Sequence, residues 1–293
     1  MKIAIFGRTF SNDFTPFILE FLRHLHENNI ELEIYKPFYE YILKRAHVEF
    51  RNIKCFESPQ DAPGEADFFI SIGGDGTFLQ SIVFLKNYDI PVIGLNSGRL
   101  GFLANISEEE ISEALDAIIA GNFEVERRSL LTLESDTNPF GKYNFALNDA
   151  TIQKKDTNLI TVDAYLNNEF LNTYWTDGLI VSTPTGSTAY CLSAGGPIVL
   201  PGSANLVLAP IASHNLTVRP LVIPDTMEIR LEVTSRCGNF LVSVDNRTEV
   251  MDAKDNVFHL RKASFELKMI KLPFNNYYST LRNKLMWGVD IRN

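Results

Sequence analysis

ADFFISIGGDGTFLQSIVFLK, residues 66–86, joins an apolar run from Ala66 to Ile72, a tight turn, Gly73-Gly74-Asp75-Gly76-Thr77, and a helix-like stretch from Phe78 to Lys86. A buried strand that runs through glycines into a helix is the local mark of a parallel α/β sheet, in which ligands gather at the carboxyl ends of the strands. The glycines let successive N–H groups face one concavity, and the helix behind them adds the positive end of its dipole. A polyphosphate suits such a turn. Asp75 is the discordant member, because its carboxylate repels the anion that the glycines attract. It points to metal binding or proton abstraction. The plainer alternative is that Asp75 only caps the next helix. With no lysine in it, the turn is not a Walker A loop.

A second cluster, Thr183-Pro184-Thr185-Gly186-Ser187-Thr188-Ala189-Tyr190, repeats the order of apolar strand, glycine turn and small-residue helix start, with hydroxyls in place of the acid. Hydroxyls can cap a helix, but the number here exceeds what one cap requires. Tyr190 offers a flat face for a purine, and Gly195-Gly196-Pro197 allows close backbone approach just beyond it. Two ligands are expected, one of them a nucleoside polyphosphate.

Outward from the first turn, residues 1–122 alternate apolar runs with helical periodicity. Lys2 to Gly7 and Ile30 to Tyr35 read as strands, as does Pro91 to Leu95. Thr15 is expected to cap a helix with Pro16 in its first turn and Phe14, Phe17, Ile18, Phe21, Leu22 and Leu25 on one face. Ser107 with Glu110 forms a capping box for a helix whose inner face is Ile111, Leu115, Ile118 and Ile119, ended by Gly121. From Phe123 the texture changes to short β-branched and aromatic runs: Leu130 to Leu133, Ala150 to Gln153, Leu159 to Leu166, Leu179 to Ser182, Leu206 to Pro210, Met227 to Val233, Phe240 to Val244 and Phe265 to Leu272. The expected fold is α/β plus all-β. An N-terminal Rossmann-like parallel α/β domain (1–122) is completed by a C-terminal segment (274–293), and residues 123–273 form a β-sandwich-like domain. The tail, Tyr277 to Val289, reads as partly helical and as folding back on the first domain.

Bulk properties narrow the function. A chain of 293 residues with 45% hydrophobic and 22% charged residues is long enough for two cores without disulfides. Cys55, Cys191 and Cys237 make an odd count without C-x-x-C spacing, which suits a reducing cytoplasm and indicates no zinc site. No signal-peptide pattern and no eighteen-residue apolar run is present, so no membrane association is expected. A net charge of −9 argues against duplex nucleic acid as a partner. The histidines, His24, His26, His47, His214 and His259, are scattered and form no nucleophile-base spacing. Glu108-Glu109-Glu110 is the acidic first turn of a helix. Asn148-Asp149 sets an amide beside an acid before a strand, and Asp177-Gly178 precedes the strand leading to the second cluster; either pair could be an ordinary turn.

Taken together, GGDGT at Gly73 to Thr77, LND at Leu147 to Asp149 and DGLIVSTPTGSTAYCLSAGGPIV from Asp177 to Val199 resemble the signatures of the NAD kinases. NSGRLGFL at Asn96 to Leu103, LTVRPLVIP at Leu216 to Pro224 and SVDNR at Ser243 to Arg247 support the match. Diacylglycerol and sphingosine kinases share a GGDGT-like turn without the long second signature. The resemblance implies Mg²⁺-dependent transfer of the γ-phosphoryl group of ATP, or of polyphosphate in some members, to the 2′-hydroxyl of the adenosine ribose of NAD by a homodimer or homotetramer. Asp75 would be the general base and, with Gly76, contact NAD. Asn148 and Asp149 would hold the adenosine, Thr185, Thr188, Ala189 and Tyr190 would line its pocket with Ser193 nearby, and Phe102 would pack beside the ligand. Asp177 would reach NAD across a subunit boundary. Gly73, Gly74, Gly76 and Thr77 would cradle phosphate. Arg99, Arg219 and Arg247 are candidate phosphate partners, with ordinary surface ion pairs as the equal alternative for each. The divalent cation would travel with ATP rather than occupy a protein cage. Two positions depart from the family's pattern: Asp149 stands where many members have glutamate, and Trp175 where some have a basic residue. Two other readings stand beside this one, a lipid or sugar kinase sharing the turn and a dinucleotide sensor without turnover.

Overall fold

The computed structural model describes residues 1–46, 53–86 and 88–288; His47 and the end of the tail from Val289 lie outside the described residues. The chain divides into two compact units, Met1–Glu126 with Leu267–Asn293, and Arg127–Glu266.

The first unit is built on parallel strands β1 (Lys2–Gly7), β2 (Glu31–Tyr35), β3 (Lys54–Phe56), β4 (Phe68–Gly73), β5 (Val92–Asn96) and β6 (Ala104–Ile106). Their order is β5-β4-β1-β2-β3, with β6 on β5. β4 is central, paired with β1 through Ile70↔Ile5 and with β5 through Ile70↔Ile93, and Phe69 to Gly73 is buried throughout. A strand covered on both faces reads as an unbroken apolar run, which is why this segment decides the architecture. Helices α1 (Thr15–Glu27), α2 (Lys36–Ala46), α3 (Asp75–Ser81) and α4 (Ile111–Ile119) join the strands. α1 buries Ile18, Phe21, Leu22 and Leu25, and α4 buries Ile111, Leu115 and Ile118 in the same core. Two local expectations need correction. Thr15 does not cap α1: a 3-10 turn, Asn12–Phe14, precedes it, and Thr15 is its first residue. The helix after the glycine turn begins at Asp75 rather than Phe78 and tightens into a 3-10 turn at Ile82–Phe84, so Lys86 lies beyond it. Gly74, extended at φ −98°, supplies the cap carbonyl that the N–H groups of Thr77 and Phe78 both reach at 3.0 Å. The capping box is present, with the Ser107 N–H donating to Glu110 at 2.8 Å.

The second unit holds most of β7 (Glu124–Glu134), then β8 (Phe145–Ala146), β9 (Asp149–Lys154), β10 (Ile160–Leu166), β11 (Glu169–Thr176), β12 (Gly178–Ser182), β13 (Asn205–Ile211), β14 (Leu221–Pro224), β15 (Ile229–Ser235), β16 (Asn239–Val244), β17 (Arg247–Asp252) and most of β18 (Val257–Lys271). One antiparallel sheet runs β11-β10-β15-β18 and the other β14-β13-β12-β9-β16-β17. Their inner faces share one core, with Val162, Leu231 and Phe258 from the first and Ile152, Leu179, Val181, Leu208 and Val242 from the second. This is a sandwich. β12 is buried on both faces, because Ile180 turns away from that core to meet Cys191, Val207 and Ala209 under a one-turn helix, α5 (Tyr190–Ser193). The chain then rejoins the first unit, with Met269 of β18 beside Val92 and helix α6 (Tyr277–Leu285) anchored by buried Thr280 and Leu281.

Candidate active site

In the first unit β4 and α3 together present the glycine turn. The N–H groups of Asp75 and Gly76 open α3 and so have no acceptor within it. A Cβ placed on Gly74 or Gly76 would meet nothing within 4 Å, so the turn faces open space. Asp75 does not cap its helix. Its Oδ2 accepts from the Phe102 N–H at 2.9 Å, and its Oδ1 accepts from Leu103 at 2.9 Å and Ala104 at 3.0 Å. The loop can lie this close only because residue 101 is glycine, where a Cβ would sit 1.9 Å from Oδ1. Buried Asn96 locks the same loop by donating to the Arg99 and Ala104 carbonyls and accepting from the Gly98 N–H. A carboxylate has about four lone-pair directions. Three are used here, which leaves one on Oδ2 of a side chain 31% exposed. Lys284 of α6 stands 4.0 Å from that oxygen. Arg99 is exposed on the loop, and Phe102 is half-buried with its ring 6.3 Å from that of Tyr277.

In the second unit Asn148 and Asp149 open β9, and the turn after β16 fixes them. Asp245, at φ +53°, lets its carboxylate accept from the N–H groups of Leu147, Asn148 and Asp149 at 2.9, 2.8 and 3.3 Å. The second cluster packs on the same segment. The Thr183 hydroxyl donates to the Leu147 carbonyl at 2.5 Å, and the Thr183 N–H donates to that of Asn148 at 2.9 Å. Gly186 lies so near that a Cβ there would be 2.1 Å from the Asn148 carbonyl oxygen. The structure therefore brings Asn148, Asp149 and the Thr183 to Gly186 turn together. Ser187 is spent internally, donating to Pro184 and accepting from Val199, and the Thr188 hydroxyl reaches the Thr185 carbonyl. Thr185 receives buried Arg128 at 3.5 Å. Ala189 is half-buried, whereas the Tyr190 ring and Ser193 are exposed. Asp177 is paired with Lys154 at 2.7 Å. Trp175, two residues earlier, is exposed.

Arg247 is tied into the second unit. Its two terminal nitrogens donate to the Tyr143 and Phe145 carbonyls while its charge faces Asp245. One terminal nitrogen of the exposed Arg219 donates to both the Leu216 and Val218 carbonyls. His24 pairs with Asp116 at 3.1 Å, remote in kind from the chemistry of the two turns. Two residues given no role in the sequence reading matter to the geometry, Asp245, which lies inside SVDNR, and Lys284. A signal existed for the first: Asp245-Asn246 between two strands is a two-residue hairpin turn that wants a left-handed Asp.

Burial, and then the charge of Asp245, push the Asp149 carboxyl up to about 7, against the opposing hydrogen bond from Thr151. Asp245 is also raised by burial, but three N–H donors and Arg247 favour its charge, so Asp149 is the member that keeps a proton. Because its folded value lies above the unfolded 3.8, the native chain binds an extra proton between about pH 4 and 7. The cost of its buried charge is absent below that window and complete above it. Asp149→Asn removes the cost, so the variant gains on the order of 2–4 kcal/mol relative to the wild type at pH 8 compared with pH 4. Denaturant unfolding at the two pH values measures the difference; an equal effect at both would show that Asp149 is not held neutral.

Residues 12–123 match the ATP-NAD kinase N-terminal domain and residues 147–272 the ATP-NAD kinase C-terminal domain. Among similar proteins, the NAD kinase of Flavobacterium johnsoniae is 45% identical over 296 residues, covering 100% of both chains. That of Porphyromonas gingivalis is 41% identical over 292 residues, covering 99% of each. A solved structure of an NAD kinase from Archaeoglobus fulgidus in complex with ATP is similar at a TM-score of 0.71 and 25% identity, covering 98% of this chain and 99% of that one. The structure of yeast NADH kinase complexed with NADH shares the fold at a TM-score of 0.88 and 24% identity, covering 100% of this chain and 89% of that one.

Proposed function

The chain belongs to the NAD kinase family, and we propose that it transfers the γ-phosphoryl group of ATP to the 2′-hydroxyl of the adenosine ribose of NAD, giving NADP and ADP. The observation that carries this reading is the Asp75 carboxylate, held by three N–H groups with one Oδ2 lone pair left over, on the same turn as open helix-start N–H groups. The ribose hydroxyl donates to that lone pair and its oxygen attacks the γ-phosphorus. The bond from phosphorus to the bridging oxygen breaks, and the proton passes to Asp75 late in the step. Phosphoryl transfer asks little covalent chemistry of a protein; positioning and charge stabilisation supply most of the acceleration. Gly73, Gly74, Gly76 and Thr77 form the phosphate turn, with Arg99, exposed on the loop after β5, as a phosphate partner. Asn148 and Asp149 bind the adenosine, with Thr185, Thr188, Ala189, Tyr190 and Ser193 lining its pocket and Phe102 packing beside the ligand. Asp177, already neutralised by Lys154, reaches the dinucleotide of a second subunit in a cytoplasmic homo-oligomer.

Mg²⁺ would be carried by ATP. Among the described residues no three His, Cys, Asp or Glu side chains gather where they could hold one ion, and Mg²⁺ favours phosphate oxygens and water over a protein cage. When bound, it neutralises charge on the β- and γ-oxygens. No described helix is long and apolar enough to cross a membrane.

Purified protein incubated with NAD, ATP and Mg²⁺ is expected to form NADP, read by an NADP-specific dehydrogenase. Absence of NADP with either ATP or polyphosphate as donor overturns the reading. Binding of NAD without turnover would then favour the sensor, and labelled phosphate on a lipid or sugar the other kinase.

A further inference from the structure

The C-terminal helix α6 reaches back to the loop that holds Asp75, and it does so at three points. Asn275, just before the helix, exchanges side-chain bonds with Asn105, donating to its carbonyl at 3.0 Å and accepting from its amide at 3.1 Å. Tyr277 meets the Phe102 ring. Lys284, in the last turn, donates to the Leu100 carbonyl at 2.8 Å, and its ammonium lies 5.4 Å from the centre of the Phe102 ring. These contacts bracket residues 102–104, whose N–H groups grip Asp75. The helix is firmly seated, since Thr280 and Leu281 are buried and the Asn276 side chain caps its start by accepting from the Tyr278 N–H.

Lys284 is placed for more than bracing. An ammonium has three donors; one is spent on Leu100, and the charge stands 4.0 Å from Asp75 Oδ2, the oxygen with the unused lone pair. That separation is too long for a hydrogen bond and short enough for strong Coulombic attraction in a partly desolvated site. On the elements packed against Asp75, Arg99 and Arg282 make no ion pair with it among the described residues, so Lys284 is the cation that faces it. A polyanion entering the phosphate turn meets repulsion from this carboxylate, and an ammonium beside it offsets that repulsion.

We propose that Lys284 is a positioning residue for phosphoryl transfer. It acts through Asp75, by fixing the loop that aims the carboxylate and by offsetting the repulsion between that carboxylate and the incoming triphosphate. The proposal rests on the reading of Asp75 as the base, and it makes α6 part of the catalytic apparatus.

The test compares Lys284→Met, which keeps length and apolar contact, with Lys284→Arg, which keeps charge, each alone and combined with Asp75→Asn in the full-length enzyme. Lys284→Met is expected to lower kcat by about 10–100-fold, the scale of a lost charge contact in the transition state. KM for NAD should change little, and Lys284→Arg should restore most of the rate. In the Asp75→Asn background Lys284→Met should cost little more, because the residue it acts through is already lost. Wild-type kcat in Lys284→Met, equal losses in Met and Arg variants of unchanged melting temperature, or full additivity with Asp75→Asn would each overturn the proposal. Lys284→Gln serves if the Met variant misfolds. A failure of the base reading shows separately, as an Asp75→Asn single variant that retains kcat.

Discussion

Asp75→Asn is expected to lower kcat by ~10²–10⁴-fold, the usual worth of a positioned base, while NAD binds nearly as before. The geometry makes this variant informative. Asparagine keeps one carbonyl oxygen, which can still accept from the Leu103 and Ala104 N–H groups that now meet Oδ1. Its amide nitrogen replaces Oδ2, so the Phe102 N–H loses its acceptor and the free lone pair disappears. One lost hydrogen bond costs the first unit about 1–3 kcal/mol, which a melting curve detects and a two-unit chain of this size survives. Any displacement of the loop would move Phe102 and show as a raised KM for NAD, whereas loss of the base lowers kcat alone. Equal losses in binding and turnover would therefore contradict the base role and leave Asp75 as a loop clamp. Asp75→Ala removes all three bonds and is the control for the clamp.

Legibility in the sequence followed burial. The strand from Phe68 to Gly73 was plain because it is covered on both faces and ends in glycines, and the run at Leu179 to Ser182 for the same reason. The strands that periodicity passed over, β3, β6, β8, β11, β14 and β17, each pair with a single neighbouring strand. An edge strand needs little apolar character: β17 buries only Met251, so its sequence reads as a polar loop. α2 was hidden differently. It adjoins β2 with no intervening turn residues, and Pro37 at its second position suits a helix start but does not by itself declare one. The candidate site was legible where its residues are consecutive, as in the two turns. It was not legible where one residue reaches another across the fold. Asp245 meets Leu147 from 98 residues away and Lys284 meets Leu100 from 184. Arg247 is likewise opaque in the sequence, where nothing shows that its guanidinium meets the Tyr143 and Phe145 carbonyls more than a hundred residues away.

Asp245→Ala is expected to destabilise the second unit by about 3–5 kcal/mol, the scale of breaking a buried charge pair, and to raise KM for NAD sharply. Three backbone donors, at Leu147, Asn148 and Asp149, lose their acceptor at once, two of them in buried residues. Arg247, itself pulled down by burial, loses the carboxylate that supports its charge. Asn148 and Asp149 then lose one of the ties that fix their backbone, so the loss falls on NAD affinity before it falls on kcat. Asp245→Asn separates the two contributions. Its carbonyl oxygen can retain the Asn148 and Asp149 bonds, which share Oδ1, and only the Leu147 bond is forfeited. The asparagine also removes the like charge that helps raise Asp149. Its net cost is therefore expected to be less than half that of alanine, with KM for NAD raised only modestly. Denaturant unfolding and steady-state kinetics on the two variants check both. An alanine variant as stable as the wild type, with unchanged KM, would show that the Leu147 to Asp149 segment is held by the second turn alone and that Asp245 is dispensable to it.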